Sequence, residues 1–194
     1  MRAGGWSYPF ISDKGGEVRI RDRHVEASIA KHDFREFVRL YRSGQFFYAS
    51  VLRESFSESA LAESREIAQS DHPLGAINPT GGINIVRLMR LAAVGLINGC
   101  RLIEELGLAD SEIHFTFGLS NINGQVLVAG TRRSFDQRFQ AHGYLSIERQ
   151  YNAAALLSEI DLTTLDVMQD IYAHFGWNRV DDHVIRGLYN ESLE

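Results

Sequence analysis

The chain has 194 residues, 44% of them hydrophobic, so it can hide about 70% of its unfolded surface and needs only one domain to do so. Its formal net charge of −5 excludes a generally basic nucleic-acid binder, although a local basic patch survives such an average. The single cysteine, Cys100, excludes an internal disulfide and a Cys-based zinc site.

Lysine occurs only at positions 14 and 31, so nearly all the positive charge is guanidinium. That bias fits either the base composition of the genome or a need for bidentate contacts to carboxylate or phosphate. The first sixteen residues, with Gly4-Gly5, Pro9 and Gly15-Gly16, read as irregular chain pinned to the body by Trp6, Tyr8 and Phe10. No basic segment followed by an apolar run opens the chain, so a cytoplasmic protein without a secretory signal is expected.

From Glu17 to Ile29 the pattern is strand-like, with Val18 and Ile20 on a packing face and Arg19, Arg21 and Arg23 on the other. Three arginines on one strand face would form a positive strip roughly 13 Å long, able to touch successive phosphates. The competing reading is a solvated, charge-guarded edge beside Glu17 and Asp22. Asp33 is placed to cap a short helix over Phe34–Tyr41, ended by Ser43-Gly44. Gln45–Glu54 then reads as an interior strand, because Phe46, Phe47, Tyr48, Val51 and Leu52 leave neither face polar. Ser57–Gln69 reads as a polar helix, and Ser70 to Gly82, with two prolines and three glycines, as a loop.

The stretch from Gly82 to Gly130 is the most regular. Ile85, Leu88, Met89, Ala92, Leu96, Cys100, Ile103 and Leu106 recur at helical spacing and form one apolar stripe. Gly107 supplies the left-handed position that ends such a helix. Ile113, Phe115, Phe117 and Leu119 alternate at period two, and Asn123-Gly124 reads as a hairpin turn into Gln125–Ala129. Leu88, Leu96 and Ile103 are expected to pack on the sheet holding Phe115 and Phe117. Gly95-x-x-x-Gly99 on the helix is expected to admit a close neighbour. Several arginines and glutamates on this helix exclude a membrane span.

Arg132–Phe139 is charged and read as helical, and Gly143–Tyr151 as a strand. Asp161 or Thr163 opens a last helix, Thr163-x-x-Asp166 approximating a capping box. Its stripe is Leu162, Leu165, Met168, Ile171 and Phe175, and Gly176 ends it. The order of elements indicates an α+β fold: a mostly antiparallel sheet packed against one long amphipathic helix and a C-terminal helix, over residues 1–194 as one domain.

Motifs for chemistry are sparse. The seven histidines form no i, i+4 pair and no HExxH; Glu112-x-His114 places both side chains on one strand face, where they would bind a metal only with further ligands from elsewhere, and the preferred reading is a solvent-facing pair. No acidic-plus-Glu-x-Lys nuclease signature, Walker cradle, GxSxG elbow or dinucleotide fingerprint is present. No metal or cofactor is therefore expected. Cys100 falls on the apolar stripe and reads as a buried, unreactive thiol.

Several segments together resemble one kind of prokaryotic protein. They are Gly5-Trp6-Ser7-Tyr8-Pro9-Phe10, the run Arg-Leu-Tyr-Arg-Ser-Gly-Gln-Phe-Phe at 39–47, Leu52-Arg53-Glu54 and Phe175-Gly176-Trp177. The chain is similar in these to the C-terminal region of Schlafen-like AlbA-type proteins, described as DNA-binding or ATP-binding. The resemblance implies an accessory C-terminal module of a longer regulatory or phage-defence protein. The nucleic-acid or nucleotide label there belongs to an N-terminal domain with no counterpart here, so no functional residue is carried over. Two classes of function follow. One is a non-enzymatic binding or interaction module with a protein partner or missing N-terminal domain, or with weak nucleic-acid contact through Arg19, Arg21 and Arg23. The other is a small cytoplasmic hydrolase whose His, Asp and Glu residues only the fold assembles.

Overall fold

Alternating side chains between Glu17 and Ser50 build a four-stranded antiparallel sheet in a computed structural model that describes residues 2–3, 6–7, 17–31, 34–52, 80–129, 135 and 138–193. Its strands are β3 (Glu17–Ile20), β4 (His24–Lys31), β5 (Phe34–Tyr41) and β6 (Phe46–Ser50), in that spatial order. Ahead of them a two-residue ladder, β1 (Arg2–Ala3) with β2 (Trp6–Ser7), lies within the opening segment expected to be irregular. The expected helix at Ser57–Gln69, the Asp33 cap and most of the loop from Ser70 lie outside the described residues.

Three expectations for this region are corrected. Glu17–Ile29 is not one strand: the chain turns at Arg21–Arg23, where the Arg21 N–H donates to the His24 carbonyl at 2.9 Å. Phe34–Tyr41 is a strand, not a helix, paired along its whole length with β4 from His24↔Tyr41 to Lys31↔Phe34. Its alternation of Phe37, Arg39 and Tyr41 against Val38 and Leu40 fits a ladder, and that pairing overrides local propensity. The β5–β6 turn uses Arg42-Ser43-Gly44 with Gly44 at φ +85°, the left-handed third position of a three-residue hairpin loop. Finally, β6 is an edge of this sheet among the described strands rather than an interior strand, and Phe47 on it is 51% exposed.

The long helix, α1 (Ile85–Glu105), follows β7 (Gly81–Asn84), so the end of the expected loop is a short strand. The Asn84 side chain caps α1, accepting from the Val86 and Arg87 N–H groups at 3.0 and 3.1 Å. At the other end Gly107 takes φ +66°. There the Leu108 N–H reaches the Ile103 carbonyl and the Gly107 N–H the Glu104 carbonyl, both at 3.0 Å, closing a Schellman motif. The apolar stripe is buried from Ile85 to Ile103, whereas Leu106, at the cap, is exposed. Among the described residues nothing lies within contact of a Cβ at Gly95 or Gly99.

The expected hairpin after α1 does not form. β8 (Glu112–Leu119) pairs antiparallel with β10 (Leu145–Asn152), and β9 (Gln125–Val128) pairs parallel with β7. The connection Ser120–Gly124 buries Ile122 and turns the chain through positive φ at Asn121 and Gly124. Val126, Leu127 and Val128 are consecutive and all buried, the pattern of a strand covered on both faces rather than of a hairpin arm. Of Arg132–Phe139, the described residues Phe135, Arg138 and Phe139 have no helical structure.

The C-terminal part holds α2 (Ala153–Ser158), α3 (Ile160–His174) and α4 (Asp182–Leu193). Thr163 lies inside α3 and caps nothing; Asp161 sits in its first turn. Leu162 is half exposed, because the core face of α3 runs through Thr164, Val167, Met168, Ile171 and Tyr172. The Thr164 hydroxyl meets its burial by donating to the Ile160 carbonyl at 2.8 Å. Gly176, at φ +86°, follows the end of α3 as expected.

The fold is α+β, with one parallel pair among the antiparallel ones of the described strands. α1 packs chiefly on α4 and α3, and Phe115 and Phe117 of β8 are partly buried against the core cluster that holds Leu88, Leu96 and Ile103. Helix α4, absent from the sequence reading, presents Ile185, Leu188, Tyr189 and Ser192 to that core. Trp177 closes one side of it with Phe135, Phe139 and Tyr172 at ring-centroid distances of 5.0, 5.3 and 5.1 Å.

Candidate functional site

Antiparallel pairing places directly opposed residues on the same face, so register alone assembles a row across the four-stranded sheet. The partners are Arg19↔Glu26, Glu26↔Arg39 and Arg39↔Phe47. His24↔Tyr41 and Ser28↔Phe37 lie on the same face. Four strands set the row at about 14 Å from end to end.

Glu26 organises the centre. Its carboxylate accepts from Arg39 Nη2 at 2.9 Å and lies 3.3 Å from His24 Nε2 and 3.8 Å from Arg21 Nη2. The hydrogen bond from Arg39 holds its pKa below the usual carboxylate range, with His24 reinforcing the effect against the cost of desolvation. Arg39 also donates from Nη1 to the Tyr41 hydroxyl at 3.1 Å, while its Nε–H is buried and has no partner. Its guanidinium stands 4.9 Å from the Phe37 ring centroid and 5.8 Å from that of Tyr41, within cation–π range. Phe37 meets Phe47 edge to face at 6.0 Å, and His24 lies 5.2 Å from Tyr41. A continuous patch of rings and guanidinium groups results.

The three sequence-predicted arginines do not form one strand-borne strip. Arg19 alone is on β3, where it is held by Glu17 through bonds of 2.8 and 2.7 Å. Arg21 leans toward Glu26, and Arg23 sits exposed in the turn, its carbonyl accepting from the Arg42 N–H at 2.9 Å. Val18 and Ile20, expected to do the packing, are exposed at 45% and 81%. What the fold adds is Arg39 beside Arg19 and Arg21, with Arg23 and Arg42 in the two turns at the same end of the sheet. Among the described residues of these strands and turns, Glu17, Asp22 and Glu26 are the acidic ones at this end against five arginines, on a chain of net charge −5. Reading Phe34–Tyr41 as a helix hid Arg39, Phe37 and Tyr41; their period-two alternation was the available signal.

Other polar groups are placed differently. Glu112 accepts from Gln150 across β8 and β10 at 2.8 Å, and His114 stays exposed beside it. Arg149 pairs with Asp170 near the Tyr151 hydroxyl, whose pKa burial raises. Cys100 is 7% exposed, and burial, aided by Glu104, pushes its thiol up to about 11. Among the described residues no group of three or more His, Cys, Asp or Glu is placed to hold a metal, and no helix is long and apolar enough to cross a membrane. No protein-family model, curated protein or solved structure matches the chain.

Proposed function

We propose that the chain is a non-enzymatic binding module that contacts the phosphate backbone of a nucleic acid through the open face and turns of its four-stranded sheet. It serves as the accessory C-terminal module of a prokaryotic regulatory or phage-defence protein, as the resemblance of its segments implies. The observation that carries the reading is the clustering of Arg19, Arg21, Arg23, Arg39 and Arg42 at one end of one sheet while the chain as a whole is acidic. Phosphate oxygens compete there with Glu17 and Glu26 for guanidinium donors already oriented by strand pairing.

Binding of this kind is weak, insensitive to sequence and steeply reduced by salt, since it draws on released counterions. Three phosphate contacts give a log-log salt slope of about −2 to −3. The test is the affinity of the full chain for labelled DNA and RNA as salt is raised from low concentration. Binding at low salt is expected, and the Arg19→Gln, Arg21→Gln, Arg23→Gln triple variant is expected to lose it with an unchanged circular dichroism spectrum. Equal affinity of wild type and triple variant refutes the reading.

A further inference from the structure

We infer that the ligand of this face is a single-stranded nucleic acid, held by stacking of an unpaired base on Phe47 as well as by phosphate contacts. The inference rests on the phosphate-binding reading above and goes further in naming the strandedness and the ring that detects it. Phe47 is 51% exposed on the edge strand β6, in direct register with Arg39. Its ring abuts Phe37 edge to face, and Phe37 is itself covered by the Arg39 guanidinium. An exposed phenyl ring backed by a second ring, with the Arg39 guanidinium on the neighbouring strand, offers a base both a π-face and nearby positive charge.

Duplex cannot use this arrangement. The bases of a duplex have their faces buried against one another, and its major groove, about 12 Å wide, admits a helix or a two-stranded ribbon rather than a four-stranded sheet face. A single strand laid across the sheet meets Arg19, Glu26, Arg39 and Phe47 in sequence along the row, its phosphates competing with Glu26 for the Arg39 guanidinium. Aromatic platforms beside positively charged groups bind such strands with little base preference, because every base has a π-face. The chemistry is common to DNA and RNA, so both enter the test.

The experiment measures fluorescence anisotropy of the full chain with labelled oligodeoxythymidine, oligouridine and a mixed-sequence duplex of equal length, at low salt. Binding of either homopolymer at least about tenfold tighter than the duplex is expected. Phe47→Ala should weaken single-strand affinity at least about fivefold while leaving the salt slope unchanged, because it removes a ring and no charge. Phe47→Trp should retain the affinity, since it keeps an aromatic platform. Phe47 is exposed, so neither variant threatens the fold. Wild-type affinity in Phe47→Ala, or duplex bound as tightly as single strand, overturns the inference. If that equal binding is still abolished by the triple arginine variant, the phosphate reading stands alone. Absence of binding to any of the three probes overturns both.

Discussion

Leu96 and Leu162 make a matched pair for testing how the helices pack. Both are leucines inside helices, both fall on apolar stripes of the sequence, and only the structure separates them. Leu96 is 2% exposed at the centre of α1, whereas Leu162 is 53% exposed on α3. Leu96→Ala removes three buried carbons, about 2.4 kcal/mol of transfer free energy at ~0.8 kcal/mol each. The residual cavity between α1 and its neighbours raises the total to about 3–4 kcal/mol. For a chain of this size that lowers Tm by roughly 6–15 °C. Leu162→Ala removes the same atoms from a site that keeps half its contact with water and should cost under about 1 kcal/mol. Thermal and urea unfolding followed by circular dichroism measures both. Equal losses in the two variants would falsify the assignment of α1 and α3 faces.

Three further outcomes follow from particular contacts. Asn84→Ala should cost about 1 kcal/mol, because it removes the acceptor for two N–H groups at the start of α1, whereas Asn84→Asp should keep nearly full stability; identical unfolding of both variants would count against the cap. Tyr189 donates to Asp161 Oδ1 at 2.5 Å, tying α4 to the first turn of α3, so Tyr189→Phe should cost about 1 kcal/mol. Burial and Asp161 raise the Tyr189 pKa; its contribution is therefore full below the ordinary value near 10 and lost as pH rises through the folded value, and a wild-type–variant gap that persists unchanged through alkaline unfolding would contradict this. Cys100, pushed from 9.0 to about 11, should carry ~100-fold less thiolate at neutral pH than a free thiol and react correspondingly slowly with a thiol reagent. Native labelling as fast as in denaturant would show that the thiol is not enclosed.

Where the pattern was local and repeated, sequence was sufficient. The stripe from Ile85 to Ile103, closed by Gly107, specifies α1 because one helix face and one left-handed residue are short-range properties. The burial of Cys100 follows from the same periodicity. The stripe Ile185, Leu188, Tyr189 and Ser192 made α4 equally legible in principle, with spacings of three, four and seven. What sequence left open was who pairs with whom. Asn123-Gly124 looks like a hairpin turn, yet β8 and β9 part because burying Ile122 and covering both faces of Val126–Val128 outweighs the local turn signal. Phe34–Tyr41 is a strand because β4 offers it a full ladder. The candidate face has the same origin. Arg19, Glu26, Arg39 and Phe47 span 29 residues of chain, and of these only Arg19 was marked by its neighbours, through its alternation with Arg21 and Arg23. Only strand register, a long-range choice made by the pairing of four strands, sets them side by side.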